Sequence, residues 1–428
     1  MRSDKYESKS NGWRLFKYLT NTTIQNNSLF CAISGTATKE TLTKRSLLAS
    51  VLSASSQAYR DQVAIANQLQ AMYGAGFNMN AYRQGQLAIF SISMRIVSPQ
   101  YLRDTIDLQQ QAIAFIGELL LKPDVIDQAF NAVTFDREKE NLQRYIDSVA
   151  DDKQTYAALK LRELYFTDQT QQTPNYGDAD VLKTITATDL YTYYQQMIAN
   201  DRIQMTVVGN VDEEKLALDL AQLSLAPRGE MLPGIFYQQV ASNAVRELTE
   251  EQAVQQGKLN MAYQLPTYFY QKDYYAALVM NALFGGTPLS LLFTNVREKA
   301  SLAYYASSNI DAFRGAVMVQ TGIESHQKER VLAIIEAQRQ SIIVGDFTQA
   351  MFEQTKLALI NQFKSSLDSP GYLGQQQFNQ IFVPETELDA GRFTTAILAV
   401  SKQAVQEQAA KMQLQAIYFL KGVDTNEA

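Results

Sequence analysis

Apolar positions along this chain recur with two different periods. They alternate over residues 13–19 and 29–34, as in strands with one buried face, and then take helical spacing over 38–52 and 60–73. The second of these helices stops at Gly74 and Gly76 of YGAGF. Residues 77–97 alternate again and turn at Gln84-Gly85, which predicts a strand pair. An amphipathic helix is predicted over 104–121, with Leu108, Ile113, Ile116 and Leu120 inward and Lys122-Pro123 as its stop. Residues 126–166 read mainly as long helix, broken near Asp151-Asp152. A helix over 189–199, a strand over 203–211 and a helix over 212–223 complete the first half.

Residues 226–243 contain Pro227, Gly229, Pro233 and Gly234 and read as a linker. The pattern then restarts, with a strand over 258–263, helices over 274–284, 327–344, 348–367 and 405–412, and a last strand, AIYFL. Within this half, residues 281–324 read NALFGGTPLSLLFTNVREKASLAYYASSNIDAFRGAVMVQTGIE. A short helix ends at Phe284, where Gly285-Gly286 offer the left-handed turn that helix C-termini favour. Thr287-Pro288 opens a second helix, as N-cap and first-turn proline, running to about Lys299. After Ser301 two strands follow, joined near Phe313-Arg314-Gly315. Arg297, late in the helix, and Tyr304, at the strand's start, can then converge on one opening. By residue type alone they read first as a solvated arginine and a half-buried strand tyrosine. Tyr305 points to the opposite strand face.

The two halves can be laid on one another. FDREKENLQRYIDSVAD (135–151) pairs without gaps with FEQTKLALINQFKSSLD (352–368), matching Phe135/Phe352, Lys139/Lys356, Leu142/Leu359, Ser148/Ser365 and Asp151/Asp368. NQLQAMYGAGF (67–77) aligns in the same way with TNVREKASLAY (294–304), which sets Phe77 opposite Tyr304. Two blocks in one order imply a duplication. The expected fold is α+β: two homologous domains, each an antiparallel β-sheet with helices packed mainly on one face. The expected division is 1–226, a linker at 227–245, and 246–428.

Composition then narrows the chemistry. A chain of 428 residues is long enough for two cores, and a net charge of -6 gives no reason to expect nucleic acid. The N-terminal MRSDKYESKSNGWRLF lacks the apolar core of a signal peptide, and no run is apolar enough to span a membrane, so a soluble cytoplasmic protein is expected. The single cysteine, Cys31 in LFCAISG, reads as core and excludes an intrachain disulfide. The single histidine, His326 in ESHQKE, reads as exposed and rules out any site needing two histidines from this chain. Ser46, Ser50 and Cys31 therefore have no histidine base, and no phosphate-loop or dinucleotide glycine pattern occurs.

A duplicated unit with LFGG, then VREK on a helix, then SLAY resembles the pitrilysin/insulinase-type zinc metallopeptidases. That superfamily includes the mitochondrial processing peptidase and the core proteins of the respiratory bc1 complex. The resemblance covers nearly the whole chain and is nearest to short bacterial members that accompany an active peptidase without being catalytic. Active members carry H-x-x-E-H on a helix of the first half, which sets two imidazoles and a general-base carboxylate on one face. With SASSQAY registering the loop after that helix, the three positions fall here on Ser46, Ala49 and Ser50. The third ligand of active relatives lies seven residues after an acidic residue. Glu138 takes that upstream place, and Tyr145 stands at the ligand position. The resemblance thus implies a degenerate site with no zinc and no peptidase activity by this chain alone.

In the family an arginine and a tyrosine seven residues later contact the substrate backbone or the oxyanion, and Arg297 and Tyr304 match that spacing. A guanidinium and a phenol are suited to that task as fixed donors. Two readings follow. In one, the chain is a non-catalytic peptide-binding subunit that pairs with an H-x-x-E-H homologue, or with itself, as part of a clamshell around a chamber for peptides or unfolded segments. In the other it is a scaffold that keeps the fold without any proteolytic role, as in the bc1 core subunits.

Overall fold

The structure, a computed structural model, describes residues 2–6, 13–19, 26–102, 106–211, 213–223, 225, 234–300 and 302–422. Residues 227–233 of the expected linker, and Ser301, lie outside them. Two compact units are formed, and neither is one continuous stretch of chain. The first comprises Met1–Asp147, Thr173–Ile235 and Leu367–Phe382, and the second Ser148–Gln172, Phe236–Ser366 and Val383–Ala428.

In chain order the first half gives strands β1 (Arg2–Tyr6), β2 (Trp13–Leu19) and β3 (Asn26–Thr36), then helices α1 (Lys39–Ala54) and α2 (Gln62–Ala71). Strands β4 (Gly76–Gln84) and β5 (Leu87–Val97) lead to α3 (Leu108–Leu121), the small hairpin β6 (Val125–Ile126) and β7 (Ala129–Phe130), and α4 (Ala132–Ser148). Helices α5 (Lys153–Tyr165), α6 (Gln169–Gln172), α7 (Ala179–Thr184) and α8 (Ala187–Asn200), strand β8 (Arg202–Val208) and α9 (Glu213–Ala221) follow.

The second half gives β9 (Arg246–Gln252), β10 (Gly257–Gln264) and α10 (Tyr274–Asn281), which runs on into a π-turn at Ala282–Gly286. A second π-helical segment, Phe293–Lys299, precedes β11 (Ala303–Asp311) and β12 (Ala316–Ile323). The chain closes with α11 (Lys328–Val344), α12 (Gln349–Ser366), α13 (Pro370–Phe382), α14 (Ala390–Ala399), α15 (Lys402–Lys411) and β13 (Gln413–Gly422).

The sheets carry the duplication. Unit 1 orders its strands β1-β2-β8-β3-β5-β4, and unit 2 orders them β11-β12-β10-β13-β9. Read from the other edge, the second sequence is β9-β13-β10-β12-β11, which repeats β2-β8-β3-β5-β4 strand for strand. Directions repeat too: β2/β8 and β9/β13 are the parallel pairs, and the remaining pairs are antiparallel. The expected α+β class with antiparallel sheets is found.

Side-chain alternation assigns the faces. In unit 1, Leu29, Cys31 and Ile33 of β3 face a core shared with α1 and α3 (Leu48, Leu52, Ile113, Ile116). Phe30, between them, faces α13, where a Cβ on Gly374 would come within 2.7 Å of its ring. In unit 2, Ala157, Leu161 and Tyr165 of α5 pack on Ala262, Tyr418 and Leu420 of the second sheet. Each sheet thus receives one helix from the opposite half of the chain on its second face.

Several local expectations are corrected. Gly285 and Gly286 are not among the glycines with positive φ. Gly285 is instead demanded by close approach, since a Cβ there would lie 2.6 Å from the Ser308 main-chain N. Thr287 closes the π-turn in an extended conformation, its hydroxyl donating to the Ala282 carbonyl at 3.1 Å, rather than capping a new helix. The start of the helix expected over 126–166 is instead a hairpin, while the expected break does occur, at Asp152, whose carboxylate accepts from the N–H groups of Gln154 and Thr155. Strand β9 and helices α13 and α14 were not anticipated. No helix among the described residues is long and apolar enough to cross a membrane.

Candidate functional site

Helix α1 starts at a capping box in which Thr38 and Thr41 satisfy each other's main-chain N–H. One turn further in, Arg45 is fully buried and holds the helix to the sheet. Its Nη1 donates to the carbonyls of Ile33 (2.6 Å) and Ala88 (2.7 Å), its Nε donates to the Tyr193 hydroxyl (2.8 Å), and Nη2 pairs with Asp201. A buried guanidinium is tolerable because its donors are met. Desolvation raises the Tyr193 hydroxyl against the lowering pull of Arg45.

With α1 fixed, Ser46, Ala49 and Ser50 line a cavity of about 380 Å³. The facing wall is α4, through Asn141, Leu142 and Tyr145. The edge strand β4 borders the cavity at Met79, Asn80 and Ala81. Met79 and Ala81 share the sheet face toward α1, so at Asn80 the main chain of the edge strand forms the border. The structure therefore gathers all four expected degenerate positions, Ser46, Ala49, Ser50 and Tyr145, around one space.

The last wall is the loop before α7. A Cβ on Gly177 (φ +93°) would lie 2.4 Å from the Thr43 Cα, so only glycine lets the loop come this near α1. Thr43 accepts from the Asp178 N–H at 3.0 Å. Asn175 accepts from the Arg83 N–H at 3.2 Å, and Arg83 donates to the Thr173 carbonyl at 2.8 Å. Tyr176 then meets Tyr145 edge to face, with ring centroids 5.4 Å apart. Asp178 caps α7 and pairs with Lys39 at 2.9 Å. Partial burial raises its carboxyl, but the Val181 N–H and Lys39 outweigh this and leave it below its usual value.

These residues do not fit zinc. Two serine hydroxyls and a phenol stand in place of the nitrogen and carboxylate ligands that zinc sites use, and a methyl group stands in place of the general base. The nearby carboxylate, Glu138, is buried and engaged by Arg137 Nε (2.8 Å) and Asn141 Nδ2 (3.2 Å). Among the described residues no group of three His, Cys, Asp or Glu could hold a metal ion. Cys31 is buried and His326 exposed, as their sequence contexts implied.

Arg297 and Tyr304 belong to unit 2. The Phe293–Lys299 segment is tied to α11 by Asn295, which donates to Gln338 at 2.6 Å, and buries Val296. It leaves Arg297 exposed, with its guanidinium 4.6 Å from the centroid of Phe293. Tyr304 falls where the β11/β12 register slips between Ala303 and Tyr305, the kind of bulge that re-aims a side chain, and is 66% exposed. Neither side chain has a hydrogen bond or ion pair with a described residue. Tyr305 is half-buried, 5.4 Å under Lys258, and burial pushes its hydroxyl up to about 12. Asn141 could have been foreseen, since it lies one helical turn before Tyr145. Asn175 and Tyr176 could not, because only the tertiary fold carries their loop to α1.

The family described as the peptidase M16 inactive domain matches residues 184–359. The chain is 32% identical over 400 residues to the probable inactive metalloprotease YmfF of Bacillus subtilis (strain 168), covering 93% of each. A conserved protein of Enterococcus faecalis V583 has a similar structure, with a TM-score of 0.92 and 38% identity over 98% of this chain and 99% of that one. A peptidase M16 inactive domain from Pseudomonas fluorescens shares the fold, with a TM-score of 0.80 and 19% identity over 99% of each chain. The chain belongs to the M16 peptidase family, as one of its inactive members that do not catalyse on their own.

Proposed function

We propose that this chain is a non-catalytic, peptide-binding subunit that pairs with an H-x-x-E-H homologue and supports its action on peptides or unfolded segments. The partner supplies zinc and general base. This chain supplies a peptide-binding surface, with edge strands to pair with an extended backbone and Arg297 and Tyr304 as donors to the peptide or its oxyanion. One observation carries the reading: Ser46, Ala49, Ser50 and Tyr145 share one cavity, whose walls are held by the buried Arg45 and the close-packed Gly177 and offer zinc no suitable ligands. With Cys31 its single cysteine, and that one buried, the chain needs no disulfide, which is consistent with a cytoplasmic setting.

Co-expression with a zinc-bearing homologue, followed by assay of peptide cleavage with and without this chain, tests the proposal. Cleavage should depend on the pair. Arg297→Ala and Tyr304→Phe should each lower kcat/KM by about 10- to 100-fold while the complex stays intact. Cleavage that is indifferent to this chain would favour the scaffold role instead.

A further inference from the structure

We infer that the cavity between α1, β4 and α4 receives an uncharged side chain with a hydrogen-bonding end, such as glutamine or tyrosine, from a bound peptide. The inference rests on the peptide-binding reading above and specifies what that peptide carries.

Among the described residues that line it there is no carboxylate, ammonium, guanidinium or imidazole. Glu138, one turn before Leu142 on α4, is already matched by Arg137. A charged side chain entering here would lose hydration with no counter-ion to replace it. Polar capacity is nevertheless present. The hydroxyls of Ser46 and Ser50 have no hydrogen bond to any described residue. Asn141 spends an N–H on Glu138 and keeps its carbonyl, and Asn175 spends its carbonyl on Arg83 and keeps its amide N–H groups. Ala49, Met79 and Leu142 add apolar surface, and the Tyr145–Tyr176 pair adds an aromatic wall. A purely aliphatic side chain would leave the hydroxyls and amides unmatched. The volume, about 380 Å³, lies at the low end for ligand pockets and suits one large side chain. The main chain at Asn80 borders the same space, so a peptide paired along β4 would direct alternate side chains toward the cavity.

The test is fluorescence anisotropy on the full chain with labelled peptides identical except for one central residue: Gln, Tyr, Leu, Glu or Lys. The Gln and Tyr peptides should bind at least tenfold more tightly than the Glu and Lys peptides. Ser46→Ala with Ser50→Ala should reduce them to the level of Leu. Ala49→Asp should raise the Lys peptide at least tenfold relative to Gln. Because Ala49 is buried, Ser50→Asp at a half-buried position repeats that test in case the first variant does not fold. Peptides that bind equally, with no response to either aspartate, would overturn this inference and leave the peptide-binding reading standing. Failure of every peptide to bind, with or without a catalytic partner, would overturn both.

Discussion

Lys139 and Lys356 make the same contacts in the two units. Each ammonium lies over the phenylalanine one turn earlier, 5.7 Å from the Phe135 centroid and 4.2 Å from that of Phe352. Each also closes a helix C-terminus: Lys139 donates to the carbonyls of Lys183 and Ile185 (2.9 and 2.7 Å), and Lys356 to that of Leu398 (3.1 Å). A duplicated sequence position has kept a duplicated task, that of holding a cation at the negative end of a short helix. Lys139→Met and Lys356→Met should each cost about 1–2 kcal/mol in urea unfolding. The double variant should cost the sum within about 0.5 kcal/mol, since the two sites share no partner.

Two glycines of α13 should respond in opposite directions. At Gly374 an added Cβ meets the Phe30 ring at 2.7 Å, whereas at Gly371 its nearest neighbour is the Ser369 hydroxyl at 3.8 Å. Gly374→Ala is expected to destabilise by about 1–3 kcal/mol through overpacking. Gly371→Ala should stabilise by about 0.5–1 kcal/mol, because it removes backbone freedom from the unfolded chain. Thermal unfolding of both variants checks the seating of α13 on the first sheet.

Cutting the chain after Ile235 should not give two independent domains. A fragment of residues 1–235 lacks 367–382, which belong to unit 1, and carries 148–172, which belong to unit 2. Each fragment alone should show no cooperative unfolding transition by circular dichroism, and mixing the two should restore it. Cooperative folding of either fragment by itself would contradict the exchange of helices.

The loop that walls the cavity should loosen in acid. The folded Asp178 carboxyl lies below its ordinary 3.8, held there by the Val181 N–H and Lys39 against the opposing effect of burial. A depressed carboxylate contributes stability that is complete above the unfolded value and disappears as pH falls through the folded one. Asp178→Asn should therefore cost up to about 1 kcal/mol at pH 7, in the range of a partly exposed ion pair. The cost should shrink below about pH 4 and vanish in stronger acid, as read from urea unfolding at a series of pH values.

Strands such as 29–34 and 203–208 were legible because strongly apolar side chains recur at every second position toward one core, although the opposite face of each is largely covered as well. RELTEEQ was not, because β9 is an edge strand whose place comes from main-chain pairing with β13 while Glu247, Leu248 and Thr249 remain exposed. Helix α13 hid for a different reason. Its buried side is partly an amide network, with Gln84 donating to Asn379 (2.7 Å) and Gln375 donating to Gln84 (2.9 Å), so its pattern looks polar. The glycines of LFGG announced an interruption but not its kind. A turn allowed by left-handed backbone and a close approach to a strand leave the same letters. At the site, the spacing of Ser46, Ala49 and Ser50 on one helix could be read directly, whereas the loop bearing Asn175 and Tyr176 depends on contacts across the chain.

Restoring the metal chemistry tests most directly whether the cavity is the degenerate zinc site. Ser46→His and Ser50→His with Tyr145→Glu would place two imidazoles and a carboxylate around it. Zinc content should be measured by elemental mass spectrometry on folded wild-type and variant protein after dialysis against free metal. One zinc per variant chain and none in the wild type is the expected result. A folded variant that takes up no zinc, or a wild-type chain that retains a stoichiometric ion, would contradict it.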